Sequence, residues 1–154
     1  MDPHRLVGTW LFVREIEHDD GAAYTADGEA RFSREDDGRV RWAERGTLRW
    51  DGGSTPVTRT LFLVREAGSD GGAAPGNDPS ADGKPATGWR VTFEDGRDFH
   101  PWTAGAVEHL CGRDLYAGGL AVAAVPAQDW ELRWRVTGPE KAYLMHTHYT
   151  RPSR

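Results

Sequence analysis

A carboxylate and a guanidinium occupy positions that alternation places on apolar strand faces. Glu44 shares a face with Val40 and Trp42, and Arg14 shares a face with Trp10. Because an unpaired buried charge is costly, Glu44 is expected either to be paired or to have the raised pKa of a general acid or base. Two interpretations stay open: a structural Arg14–Glu44 ion pair, or an anion-binding Arg14 beside a proton-transferring Glu44.

His100 is the second candidate for acid–base chemistry, because imidazole titrates near neutral pH. Its orientation depends on the length of the turn around Asp95–Gly96. A slip of one residue turns every side chain to the other face of a strand, so two registers stay open. The alternative inward sets are Asp98, His100 and Trp102, or Arg97 and Phe99.

The segment HLCGRDLY at 109–116 groups several side chains that can bind or react. In an extended backbone, His109 and Cys111 face one side, whereas Asp114 and Tyr116 face the other. A Cys–His nucleophilic pair is one interpretation, since an adjacent imidazolium lowers the pKa of a thiol. The alternatives are a small buried Cys111, an Asp114 that accepts hydrogen bonds in a turn, and a Tyr116 hydroxyl bound to backbone.

The last segment, 141–151, alternates between two different faces. One face carries Lys141, Tyr143, Met145, Thr147, Tyr149 and Arg151; the other carries Ala142, Leu144, His146, His148 and Thr150. Lys141 follows a turn, where its amine either is solvated or points to a cavity mouth. His146 and His148 share a side but offer only two ligands, so no metal site is predicted.

These residues must be positioned by short antiparallel strands, because period-two alternation dominates the chain. Trp130, Leu132, Trp134 and Val136 alternate with polar residues, for example, which indicates one buried and one solvated face. The candidate strands are 6–17, 28–34, 39–45, 47–51, 56–66, 89–95, 97–102, 115–125, 129–138 and 141–151. Only 103–110 is a candidate helical turn. Such a series favours an antiparallel barrel, whose cavity can hold one ligand.

Composition narrows the function further. The chain has 154 residues, which suits one domain, and it is 38% apolar with no run long enough to cross a membrane. A net charge of −5 argues against nucleic acid as a partner. The single Cys111 excludes an intramolecular disulfide, and the N-terminus lacks a secretory signal, so a cytoplasmic location is expected. Residues 67–88, rich in Gly and Pro, are interpreted as a flexible connection within the domain.

Several motifs resemble those of known barrels. Gly8-Thr9-Trp10 resembles the GxW signature of lipocalins and the wider calycin group, and Arg151 stands where such proteins stack a basic side chain on that tryptophan. DGRDFH at 95–100, HLCGRDLY at 109–116 and the stretch 134–151 are similar to motifs of an uncharacterised lipocalin-like family of bacteria and fungi. This resemblance implies a calycin-type barrel, with Tyr143, Thr147 and Tyr149 inward and with His146 and His148 toward solvent.

The expected function is binding of a small polar or aromatic molecule in the barrel, with cofactor-independent acid–base catalysis of an isomerase, lyase, or condensation and cyclisation type in a biosynthetic pathway. The alternative is a non-catalytic carrier or sensor. Glu44 and His100 are the candidate catalytic residues. The candidate substrate-binding residues are Arg14, Trp42, Arg97, His109, Asp114, Tyr116, Trp134, Lys141, Tyr143, Thr147 and Tyr149. No cofactor, metal, nucleic acid or membrane partner is expected, and the oligomeric state stays open.

Overall fold

Ten antiparallel strands form one continuous sheet in a computed structural model, which describes residues 2–66, 88–122 and 128–153. A 3₁₀ turn at Pro3–Leu6 precedes the first strand. The strands are β1 (Gly8–His18), β2 (Ala23–Arg34), β3 (Val40–Trp50), β4 (Gly53–Arg65), β5 (Trp89–Phe93), β6 (Asp98–Trp102), β7 (Gly105–Cys111), β8 (Asp114–Val122), β9 (Asp129–Thr137) and β10 (Ala142–Thr150).

The strand order curls the sheet into a nearly closed barrel. It runs β6-β5-β4-β3-β2-β1-β10-β9-β8-β7, so the pairing of β1 with β10 joins the two ends of the chain. β6 and β7 form the two edges of the sheet. The turns at 19–22, 51–52, 94–97, 112–113 and 138–141 lie at one end of the barrel, here called the hairpin end. The prediction of an all-β antiparallel barrel is confirmed.

The predictions for 39–51 and for 103–110 differ from the structure. The candidate strands 39–45 and 47–51 are one strand, β3, which pairs along its whole length with both neighbours. The helical turn predicted within 103–110 is wrong, because most of that segment belongs to β7. Its pairing partner is β8, which supplies the cross-strand hydrogen bonds that a lone helical turn lacks.

Aromatic rings fill the middle of the barrel. Trp130 and Tyr149 stack with ring centroids 3.8 Å apart, and Trp42 packs edge-on against both. The predicted inward face of β9 is confirmed, since Trp130, Leu132, Trp134 and Val136 are all buried. These rings occupy the interior of the barrel. The polar groups inside it therefore lie against aromatic rings and not along a wide channel.

The end of the barrel opposite the hairpin end is closed around Trp10. The indole Nε1 of Trp10 donates a 2.7 Å hydrogen bond to the carbonyl of Leu6 in the 3₁₀ turn. The guanidinium of Arg151 lies 3.9 Å from the centroid of the Trp10 ring and donates to the carbonyls of Val7 and Thr9. The placement of Arg151 on Trp10, which the calycin resemblance implied, is therefore confirmed.

Gly28 and Gly46 lie directly opposite each other in the β2–β3 ladder. A Cβ atom at Gly28 would overlap the carbonyl oxygen of Arg45 and the Cα of Gly46. Backbone atoms cannot move away by changing rotamer, so this close approach requires glycine.

We expect Gly28→Ala to lower the free energy of unfolding by about 1–3 kcal/mol, in the range of other overpacking substitutions. Urea unfolding followed by circular dichroism measures this change. Thr25→Ala, at an exposed position of the same strand, is the control and should stay within about 0.5 kcal/mol of the parent. Equal stability of the Gly28→Ala and Thr25→Ala variants would contradict the proposed steric constraint.

The predicted connection at 67–88 lies outside the described residues, except for Gly88. The carbonyl of Gly88 accepts a 3.0 Å hydrogen bond from the backbone N–H of Glu66, which holds the two ends of the connection side by side. Among the described residues, no helix is both long enough and apolar enough to cross a membrane.

Candidate functional site

An ionic cluster on the inner face of the barrel consists of Arg14 from β1, Glu44 from β3 and Arg59 from β4. Arg14 Nη2 lies 3.0 Å from Glu44 Oε2, and Arg59 Nη2 lies 2.9 Å from Glu44 Oε1. Glu44 and Arg59 are directly opposite each other in the β3–β4 ladder, which places both side chains on the inner face. The predicted inward orientation of Glu44 and Arg14 is thus confirmed, and so is their pairing.

Two hydroxyl groups of β10 complete the cluster. The hydroxyl of Tyr149 donates a 2.5 Å hydrogen bond to Glu44 Oε1, and Arg14 Nε donates a 2.8 Å hydrogen bond to Thr147 Oγ1. Burial and the Glu44 charge raise the pKa of Tyr149, so this hydroxyl keeps its proton at neutral pH. Tyr149 and Thr147 therefore fix the orientation of Glu44 and Arg14.

Glu44 is an ionised carboxylate in this setting. Burial by itself raises its pKa, but the charges of Arg59 and Arg14 and the Tyr149 hydrogen bond outweigh burial and lower the pKa from 4.5 to about 2. A general acid or base works best with a pKa near the working pH. This geometry favours the structural ion pair over a proton-transferring Glu44, because two cations and one O–H donor hold the negative form.

A cavity of about 210 Å³ lies beside the cluster, toward the hairpin end. Its apolar wall consists of Phe12, Ile16, Ala26, Leu48 and Val57, and its polar wall consists of Arg14, Glu44, Thr58 and Arg59. Ligand pockets for drug-sized molecules usually measure about 300–1,000 Å³. This cavity therefore suits a smaller molecule with one apolar and one polar side.

Arg59 is the charged residue of this cluster that was not among the candidates from the sequence. Its side chain is 28% exposed, compared with 11% for Arg14, and it lies over the Trp42 ring at 5.1 Å. The signal was present, since Arg59 precedes the buried Leu61 and Leu63 by two and four residues on one strand. Applying the same alternation to β4 predicts an inward Arg59.

A β-bulge in β6 settles the orientation of His100. Val91 lies opposite His100, whereas the next residue, Thr92, lies opposite Asp98, so Phe99 is an extra residue in the strand. Both Phe99 and His100 are buried as a result, and Trp102 is buried with them. Neither of the two sequence registers is right over its whole length, because each assumed a regular strand.

His100 is a neutral imidazole with one free nitrogen. Its Nδ1 lies 2.8 Å from the carbonyl oxygen of Pro101, which can only accept, so Nδ1 carries the proton. Burial is the main cause that lowers the pKa of His100 to about 4, and the Arg59 charge adds to it. Nε2 has no hydrogen-bond partner among the described residues, and the ring packs on Phe99 and Trp134 at 4.8 Å.

The segment 109–116 is a tight hairpin, so its side chains are arranged differently from the extended prediction. His109 lies opposite Tyr116, and Cys111 lies opposite Asp114 across the β7–β8 turn. Residues that face each other in a ladder share a side, so the predicted opposition of these two pairs is wrong. Burial and the neighbouring Tyr143 hydroxyl raise the pKa of Tyr116. Lys141 is exposed and forms a 2.9 Å ion pair with Asp114 at the hairpin end.

The remaining candidate binding residues fall into two groups. Trp42 and Trp134 are buried in the aromatic interior, and Tyr143 is half-buried with its ring 5.3 Å from that of His18. Arg97, in contrast, is exposed and pairs with Asp95 at 2.7 Å. The inward placement of Arg97 is contradicted, because the turn before β6 directs this side chain to solvent.

The two histidines of the last strand face outward, as the calycin resemblance implied. His148 is exposed, and His146 Nε2 lies 3.1 Å from Glu131 Oε2 on the outer face. Within residues 2–66, 88–122 and 128–153, no group of three or more His, Cys, Asp or Glu side chains is arranged to hold a metal ion.

Comparisons with known proteins identify a family and a fold. No curated protein matches the chain. The structure of the S-type phycobiliprotein lyase CPES from Guillardia theta is similar, with a TM-score of 0.60 and 13% identity over 98% of this chain and 90% of that chain. A de novo designed fluorescence-activating β-barrel has a TM-score of 0.46 and 13% identity over 99% of both chains. A family model matches residues 6–71 and 81–151, so the chain belongs to the family of unknown function DUF6314.

Proposed function

We propose that the barrel binds a small molecule with an apolar or aromatic body and one polar group in the 210 Å³ cavity beside Arg59. The observation that carries this proposal is the division of the cavity wall. Apolar side chains, among them Phe12 and Val57, face the ionic cluster across this cavity. Ligand sites commonly combine an apolar lining with a few fixed polar groups in this way.

Acid–base catalysis is the second candidate function, favoured by His100, which is buried in the barrel but does not line the 210 Å³ cavity. Nε2 of His100 is unprotonated and has no hydrogen-bond partner among the described residues, and Arg59 lies near enough for its charge to act on the imidazole. We infer that a catalytic step of the isomerase, lyase, or condensation and cyclisation type would require a substrate that reaches Nε2 of His100, because Arg14, Arg59 and Tyr149 already hold Glu44. A carrier or sensor would use the same cavity without this step.

The binding proposal predicts that at least one of three small aromatic probes, benzoate, benzamide and phenol, binds saturably. Titration followed by intrinsic tryptophan fluorescence measures the binding, since Trp42 packs on Arg59 at the cavity. Val57→Trp fills the cavity and should abolish binding. Val13→Trp adds the same ring to the outer face, where Val13 is 58% exposed, and should leave binding unchanged. Binding that survives Val57→Trp, or no saturable binding at all, would contradict the proposal.

A further inference from the structure

The walls of the proposed binding cavity carry a surplus positive charge. Two guanidiniums, of Arg14 and Arg59, face one carboxylate, of Glu44, and the other residues that line the cavity among those described are uncharged. The chain as a whole carries −5, so this positive site lies inside an acidic protein. A positive group in a partly buried, apolar site attracts an anion much more strongly than it would on the surface.

Arg14 and Arg59 differ in how many of their donors are already used. Arg14 donates from Nε to Thr147 and from Nη2 to Glu44, and its Nη2 also lies 3.3 Å from the Tyr149 hydroxyl. Arg59 makes one hydrogen bond to the described residues, from Nη2 to Glu44. Its Nε is buried without a partner in the described part of the chain. Because a guanidinium has five N–H donors, Arg59 retains the capacity to bind a further acceptor.

Glu44 cannot be the group that a ligand binds. Its two oxygens already accept from Arg14, Arg59 and Tyr149, and its side chain is only 3% exposed. Of the three charged side chains in the cavity wall, Arg59 is therefore the most exposed and the one with the most donors still available. Its plane is held over the Trp42 ring, so less conformational entropy is lost when it binds a planar acceptor.

We propose that the ligand is an organic monoanion, a carboxylate on a flat apolar body, and that Arg59 binds the carboxylate while Phe12 and Val57 contact the body. The proposal rests on the binding function above. A single carboxylate matches the single surplus charge of the cluster, whereas a phosphate dianion would leave an uncompensated negative charge beside Glu44. The planar fork of the guanidinium also matches a carboxylate in two parallel hydrogen bonds.

The test compares benzoate, benzamide and benzylamine on the full chain, with dissociation constants measured by calorimetry at pH 7. These probes keep the same ring and carry a negative, a neutral and a positive group. We expect benzoate to bind at least tenfold more tightly than benzamide, and benzylamine not to bind. Arg59→Gln should remove the preference for benzoate, and Arg59→Lys, which keeps the charge but not the fork, should retain part of it.

The control is Arg41→Gln, which makes the same charge change on the exposed outer face of β3 and should change the affinity for benzoate less than twofold. Equal binding of benzoate and benzamide, both lost in Val57→Trp, overturns the anion proposal and leaves the binding function standing. No binding of any probe overturns both. The charge preference of the parent chain decides the question even where Arg59→Gln fails to fold.

Discussion

Replacing Glu44 by Gln is expected to lower the free energy of unfolding by about 3–5 kcal/mol, the usual cost of removing one partner from a buried ion pair. The substitution leaves the guanidiniums of Arg14 and Arg59 together in the barrel without a countercharge. Urea unfolding at pH 7 measures the loss. The double variant Glu44→Gln/Arg59→Met should lose less than the sum of the two single variants, because it removes the repulsion between the two cations.

Glu29→Gln is the matched control for Glu44→Gln. Glu29 is paired with Arg45 at 3.7 Å on the outer face, where exposed ion pairs contribute about 0–1 kcal/mol. Equal stability of the two variants would show that the cluster does not hold Glu44 as a buried anion.

Acid unfolding of the parent chain gives a second measure of the Glu44 cluster. Because the folded-state pKa of Glu44 is depressed from 4.5 to about 2, its stabilisation is complete above pH 4.5 and is lost as the pH falls through 2. About 3 kcal/mol disappears in that window. The Glu44→Gln variant should not show this loss of stability between pH 4.5 and pH 2. The shape of the pH profile therefore tests the cluster even though the parent and the variant differ in stability at pH 7.

His100 is expected to make the barrel sensitive to acid at a higher pH than Glu44 does. Its folded-state pKa is lowered from 6.5 to about 4, so the unfolded chain takes up the proton first as the pH falls. The free energy of unfolding should therefore decrease by about 3 kcal/mol between pH 6.5 and pH 4. The groups that face the ring and oppose its protonation are Arg59 and His109, from β4 and β7.

His100→Phe keeps an aromatic ring against Phe99 and Trp134 and removes the titrating group. Its stability, measured by urea unfolding at half-unit pH steps, should fall between pH 6.5 and pH 4 by about 3 kcal/mol less than that of the parent. His148→Gln changes an exposed histidine on the outer face and should preserve the slope of the parent. If His100→Phe shows the full slope as well, another group is responsible for it.

Period-two alternation was sufficient to predict the barrel and the inward orientation of Glu44 and Arg14. Each residue lies in a long, regular strand, β3 and β1, where buried apolar neighbours fix the face. The same rule applied to β4 would have predicted Arg59. Alternation cannot predict that Arg59 pairs with Glu44 as a second cation, because this pairing depends on which strand lies beside β3. That second cation favours a fixed anion at Glu44 over a proton-transfer group, the two interpretations that the sequence left open.

The remaining errors come from local irregularities of the backbone. The bulge at Phe99 buries two consecutive residues, and no hydrophobic pattern distinguishes it from a regular strand in one register or the other. In β7, the apolar Leu110 is exposed and the polar His109 is half-buried, which reverses the usual polarity of the two faces of a strand. The sequence of β7 therefore resembles that of a turn. Its pairing with β8 establishes the strand, and that pairing is a tertiary property.

The strand order also bears on how the chain reaches its folded state. Within the described residues, each ladder joins strands that are consecutive in the chain, except the ladder of β1 with β10, where Leu11 lies opposite Thr150. Local hairpins form early because their loops are short, whereas this ladder must bring together the two ends of the chain. The contact of Arg151 with Trp10 depends on the same pairing of β1 with β10. A circular permutant with its ends joined and new termini between β6 and β7 would turn that late, long-range step into a local one, and would be expected to fold faster.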